Sequence, residues 1–165
     1  MLPLTLLAAQ KVSTLLIGTN ELQQQLSAIA AATNTDLPII SAAQVVLTSA
    51  SPDISDKDMQ LTYPRICLYS GGVKNTQIEK FRSLSGAVSV IAEVWASGDL
   101  VDQVDQWIHF YVEAMTTILR QNIGDWGDGF FFSGIYDVQF QPPKAGGLGY
   151  VESAKVTCSL NVSRN

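Results

Sequence analysis

Between Asp99 and Asn122 the chain sets apolar side chains at helical spacing. Leu100, Val101, Val104, Trp107, Ile108, Tyr111, Val112, Met115, Ile118 and Leu119 fall on one broad face. Asp102, Asp105, His109, Glu113, Thr116 and Arg120 fall opposite. An apolar face this wide belongs on a sheet rather than in water. Asp99 has the chemistry of an N-cap, and Asp102 suits the positive helix end. Asn122 and Gly124 tolerate the left-handed conformation that stops a helix. Phe110 stands off the stripe, among Gln103, Gln106 and Thr117. It reads either as a core side chain reached from the helix shoulder or as a subunit contact.

Alternation at period two flanks this helix on both sides. Tyr63–Ser70 places Ile66 and Leu68 against Arg65, Cys67 and Tyr69, and Gly71-Gly72 marks its end. A polar connection follows over Asn75–Ser85, with Lys74, Lys80, Phe81 and Arg82 in or beside it. In Gly86–Ala96, Val88, Val90, Ala92 and Val94 oppose Ser89, Ile91, Glu93 and Trp95, which predicts a hairpin with a long tip. Beyond the helix, Gly124–Gly129 reads as a tight turn and Phe131–Gln141 as a strand. Gln141–Gly149, with Pro142, Pro143, Lys144 and Leu148, reads as a hairpin loop. Tyr150–Ser163 is the cleanest strand, with Ala154, Val156, Cys158, Leu160 and Val162 on one phase.

The N-terminal third is helical in pattern. Leu4, Leu7, Ala8, Val12 and Leu15 share a face over Pro3–Ile17. Gly18 breaks the run, and Asn20 with Gln23 has the form of a capping box opening a second stretch to Ala32, striped by Leu22, Leu26 and Ile29. One helix kinked at Gly18 fits the same residues. Gln44–Thr48 reads as a short strand and Ser49–Gln60 as an exposed acidic loop. The 165 residues suit one α+β domain. Its N-terminal helical region spans 1–34. A mainly antiparallel sheet of four to five strands, packed against the central helix, spans 40–163.

The residues name no chemistry. A net charge of −5 and ten unclustered Lys and Arg argue against a nucleic-acid backbone binder. Asp105, His109 and Glu113 line one helix face, where they read as a metal stripe or, more simply, as a solvated face. Asp125 and Asp128 miss the EF-hand spacing, and Gly146-Gly147-Leu148-Gly149 precedes a strand rather than a helix, unlike a phosphate loop. There is no G-x-S-x-G elbow and one histidine. The expectation is no enzyme, no catalytic or metal residue and no cofactor. Cys67 and Cys158 read as small buried hydrophobes, or as a disulfide if their strands adjoin, and this usage fits a reducing compartment. Residues 1–17 lack a basic region and carry Gln10, Lys11, Ser13 and Thr14, against a secretory signal or a membrane span.

The run Tyr63-Pro64-Arg65-Ile66-Cys67-Leu68-Tyr69 leads into a hairpin and the strand Ser85–Ala96. A Gly98-Asp99 helix start, the amphipathic helix and a strand pair whose last member begins at Gly149-Tyr150-Val151 follow. Over about residues 40–163 this order resembles the tail terminator and tail-completion proteins of long-tailed bacteriophages. The long N-terminal helical region and the Ser49–Gln60 loop depart from a compact member of that family. The resemblance implies a structural virion protein, assembled in the host cytoplasm as a homo-oligomeric ring, typically a hexamer. Such a ring caps the tail tube, docks on the head connector and passes DNA through its channel without specific binding. It implies partner contacts at the hairpin tips and helix shoulder: Lys74, Lys80, Phe81, Arg82, Phe110, Lys144 and Leu148. Asp102, Asp105 and Glu113 would face the channel as an acidic stripe. Another neck or tail-tube component, or a non-viral ligand-binding α+β module, remains the alternative.

Overall fold

Two helices open the chain, α1 (Leu4–Ile17) and α2 (Glu21–Thr33), separated at Gly18 rather than continuous through it. The computed structural model describes residues 3–48, 62–76, 82–146 and 149–164. The acidic stretch 49–61 and the tip residues Lys80, Phe81 and Leu148 lie outside the described residues. A third helix, α3 (Val101–Gln121), follows β3. The strands are β1 (Val45–Val46), β2 (Arg65–Asn75), β3 (Leu84–Gly98), β4 (Gly124–Gly127), β5 (Phe130–Gly146) and β6 (Gly149–Arg164).

They form one six-stranded sheet in the order β1-β2-β3-β6-β5-β4. This is one strand more than the upper sequence-based count, because the glycine-rich turn holds β4. The sheet is also mixed: β1 runs parallel to β2, and every other pair is antiparallel. The α+β class stands.

All three helices lie on one face. Val88, Val90, Ala92 and Val94 of β3 meet Ala154, Val156, Cys158, Leu160 and Val162 of β6 in one buried cluster. Ala8, Val12 and Leu16 of α1, Leu22 and Leu26 of α2, and Ile108, Tyr111 and Met115 of α3 complete it. The buried face of α1 is turned by one residue from the expected one, with Leu16 inside in place of Leu15. Burying side chains of this size contributes about 1.5–3 kcal/mol each before entropy is set against it.

Several local expectations are corrected. Asp99 does not cap α3: Leu100 holds the N-cap position in extended backbone, without a side-chain cap bond. Leu100 itself is 64% exposed. Asn122 ends the helix outside the left-handed region, and its Nδ2 donates to the Ile118 carbonyl at 2.8 Å. Thr116 is buried rather than solvated, because its hydroxyl donates to the Glu113 carbonyl at 3.2 Å and so carries no open polar group inward. Asn20 makes no capping box; it adopts φ 59° and turns the chain between α1 and α2. The strand predicted over Gln44–Thr48 shrinks to Val45–Val46.

Strands outrun their punctuation. β2 continues through Gly71-Gly72, which form a bulge in its pairing with β3 between Ser70 and Gly72. β5 continues through Pro142-Pro143 in the same way, with a register shift between Gln141 and Lys144. Cys67 and Cys158 are both buried and free; β3 separates their strands, and they sit on opposite faces, so no disulfide joins them.

The turn from β4 to β5 needs glycine. Gly129 has φ +79°, and a Cβ there would lie 2.2 Å from the Ser163 carbonyl oxygen. Gly127 has φ +77°, but its nearest neighbour is the flexible Lys11 Nζ at 3.5 Å. Gly129→Ala should therefore cost about 2 kcal/mol or more, and Gly127→Ala only the backbone strain of about 1 kcal/mol. Urea unfolding of the two variants checks this; equal losses would mean that the Ser163 contact is not there.

Candidate assembly surface

The β5–β6 hairpin forms an arm whose β5 strand is exposed, while β6 stays paired with β3 as far as Tyr150 and buries Val151–Ala154. Gln139 to Gly146 are exposed without interruption, and Gly149 and Tyr150 match them on β6. Proline has no N–H for a ladder, so Pro142-Pro143 fall where the register slips and the strand bends. Past the slip the pairing resumes, Lys144 with Val151 and Ala145 with Tyr150. Lys144, a sequence-predicted contact residue, lies over the Trp95 ring with its Nζ 5.8 Å from the ring centre.

Two contacts fix the root of this arm to α3. The His109 ring lies against Phe140, with centroids 4.5 Å apart. One strand over, Glu152 of β6 is buried at 3% exposure beneath α3, with Asp105 above it. Burial first, then the Asp105 charge and hydrogen bond, push the Glu152 carboxyl up to about 7. Its Oε2 has no hydrogen-bond partner among the described residues. Sequence reasoning passed over Glu152, although a signal was there. It stands in phase with Ala154, Val156 and Cys158, where a charge is out of place.

The acidic stripe is exposed but not uniform. Asp102, Asp105 and Glu113 all face solvent on α3. Asp105 lies 3.8 Å from His109 Nε2. Glu113 pairs with Arg120 at 2.8 Å. Phe110 is half-buried and packs against the main core, as the shoulder reading has it. Among the described residues no group of three or more His, Cys, Asp or Glu is placed to hold a metal ion.

At the other end of the sheet, Gly71 to Thr76 of the β2–β3 hairpin are exposed, as is Arg82 on its return. Lys74 pairs with Ala87 in the sheet. An open cleft of about 450 Å³ lies below this tip, lined by Thr76, Ser85, Phe131, Asn161 and Ser163 among others.

The face of the sheet away from the helices is polar but closed. Tyr69 donates its hydroxyl to Glu93 Oε2 at 2.9 Å, and Lys155 lies 3.9 Å from Oε1 of the same carboxylate. Burial and the Glu93 hydrogen bond raise the Tyr69 pKa. Burial raises the Cys67 thiol as well, away from the thiolate form that a nucleophile needs. Beside them, Cys67, Trp95 and Val151 form a small second cluster. Asp125 serves its own turn, accepting from Gly127 N–H at 2.8 Å, and Asp128 pairs with Lys11 at 2.7 Å.

A cleft of about 250 Å³ opens among Tyr63, Pro64, Asp99, Gln103, Trp107 and Tyr111. The polar atoms of two of its rings are already used: Trp107 Nε1 donates to the Asp36 carbonyl at 3.0 Å, and Tyr111 Oη to that of Pro38 at 2.7 Å. Among the described residues no helix is long and apolar enough to cross a membrane. In comparisons with known proteins, no protein-family model matches the chain, and no curated protein matches it.

Proposed function

We propose that this protein is a structural virion component of the tail-terminator kind, assembling as a ring that caps the tail tube and joins it to the head connector. The observation that carries the reading is the exposed β5 strand of the β5–β6 arm. Residues Gln139–Gly146 form an edge strand that pairs, among the described residues, with β6 alone. An edge strand presents unpaired N–H and C=O groups that template another chain, which suits an interface with another subunit. The tail-terminator assignment itself rests on the element order and on the Tyr63–Tyr69 run. The clefts favour no ligand-binding reading, since the larger is open and the smaller has its Trp107 and Tyr111 donors committed to backbone.

Light scattering after size exclusion, with negative-stain microscopy, tests the proposal. A closed ring of several subunits with a central hole is expected. Replacing Pro142–Tyr150 by a two-residue turn should reduce it to smaller species while the monomer keeps its thermal transition. A strict monomer at every concentration would refute the ring.

A further inference from the structure

We propose that β5 of one subunit pairs antiparallel with β2 of a second copy, setting Val138 beside Val73 and Asp137 beside Lys74. The inference rests on the ring reading above and specifies its interface.

Both edges are open among the described residues. β4 pairs with β5 only as far as Phe132, and β1 pairs with β2 only at Ile66 and Cys67. That leaves Ser133–Gln141 on one side of the sheet and Leu68–Asn75 on the other. Exposed edges present unpaired N–H and C=O groups that template a further strand.

The directions agree. Counted across the sheet, β2 to β3, β3 to β6 and β6 to β5 are three antiparallel steps, an odd number, so β5 runs opposite to β2. A rotation about an axis along the strands brings β5 against the neighbour's β2 antiparallel, using two different edges. That is a heterologous contact of the kind that closes rings.

The hydrogen-bonding phase agrees as well. Thr76 N–H donates to the Ser85 carbonyl, which turns Thr76 and Lys74 inward to β3 and leaves Val73 and Asn75 facing out. Ser163 N–H donates to the Gly129 carbonyl, so alternate residues of β6, down to Thr157, face β5. Thr157 pairs with Asp137, which is thereby turned inward and leaves Tyr136, Val138 and Phe140 facing out. Val73 and Val138 then meet as a hydrogen-bonded pair.

Side chains fit in this register. Val73 and Val138 share the helix-bearing face, through their partners Val88 and Val156. Lys74 and Asp137 share the opposite face, through Ala87 and Thr157. An opposite-charge pair thus follows a β-branched pair. Gly72 comes opposite Gln139 on the face away from the helices, where a missing side chain leaves room for the glutamine. A slip of one residue would put every one of these side chains on the wrong face.

The test is a double variant, Val73→Cys with Val138→Cys, oxidised at ring-forming concentration. A hydrogen-bonded antiparallel pair sets Cα atoms about 5.5 Å apart, within disulfide range. A ladder of covalent multimers on a non-reducing gel is expected, with each single variant remaining unlinked. Val138→Pro removes only an outward N–H and should raise the concentration needed for assembly at least about tenfold, with the thermal transition kept. Lys74→Glu and Asp137→Lys should each weaken assembly, and the double swap should restore it. Wild-type rings with no cross-linking in the double variant would overturn the edge pairing and spare the ring. Cross-linking by Val138→Cys alone would overturn it in favour of β5 meeting β5. A wild-type monomer that does not cross-link would overturn both.

Discussion

Phe132→Ala should cost about 3–5 kcal/mol of stability, a large share of what a domain of this size has to lose. The neighbouring Phe131→Ala should stay within about 0.5 kcal/mol. The two residues are consecutive on β5 and differ only in phase. Phe132 is fully buried, with its ring 5.1 Å from that of Trp126, and belongs to the core under the helices. Phe131 points to the other face and is 47% exposed. Removing the Phe132 ring leaves a void that strands on both sides cannot close. Removing Phe131 uncovers nothing. Urea unfolding with unchanged slopes would read the difference directly. Equal losses would mean that the strand sits one residue out of the register described.

Glu152→Gln should make the protein more stable at pH 8 and leave it nearly unchanged at pH 5. The folded carboxyl titrates at about 7, against 4.5 for the unfolded chain. A raised folded value means that the native state holds its proton more tightly. The contribution is therefore whole below about pH 4.5 and is lost as pH rises through about 7. Above that pH a buried carboxylate faces Asp105, at a cost of about 3 kcal/mol. Glutamine keeps the shape without the charge, so wild-type stability should fall between pH 5 and pH 8 while the variant's stays flatter. The other side chains facing this group are Asp105 and, beyond it, His109 on α3. Asp128 acts with the opposite sign. The Lys11 hydrogen bond and charge lower its pKa, so its stabilisation disappears only on acidification below about pH 4, outside this window. A slope that survives in Glu152→Gln would clear Glu152 of the effect.

The central parts of this fold are legible in the sequence because one rule decides them. β3 and β6 are flanked on both sides, so strict alternation from Val88 to Val94 and from Ala154 to Val162 meets the core in phase. The wide stripe of α3 has the same cause, from Val104 to Leu119. What failed is punctuation. Gly71-Gly72 and Pro142-Pro143 read as strand ends, yet the partner strands supply enough hydrogen bonds on either side to carry the ladder over a bulge. Gly124–Gly127 reads as turn, yet the β5 edge recruits it as β4. Asp99 reads as a cap, yet extended backbone runs on to Leu100 and delays the helix. The proposed contact surface is legible only in outline. Lys74, Arg82 and Lys144 lie on or beside the two hairpins, but the open edges of β2 and β5 follow from strand order, which no local pattern encodes.

Strand order has one more consequence. β6 sits between β3 and β5, and within the sheet every hydrogen bond between the β1-β2-β3 half and the β5-β4 half passes through it. Its pairings with β3 join Leu84 to Arg164 and Gly98 to Tyr150, across the whole of α3, β4 and β5. It is the keystone, and it is synthesised last among the strands. Until it inserts, the chain holds two half-sheets, each with a bare inner edge as ready to pair as the outer edges of the finished protein. Such non-local closure is slow. On the proposed edge pairing, completion of the individual subunit and competence to assemble are one event, and a chain still waiting for β6 offers its neighbours the wrong edge.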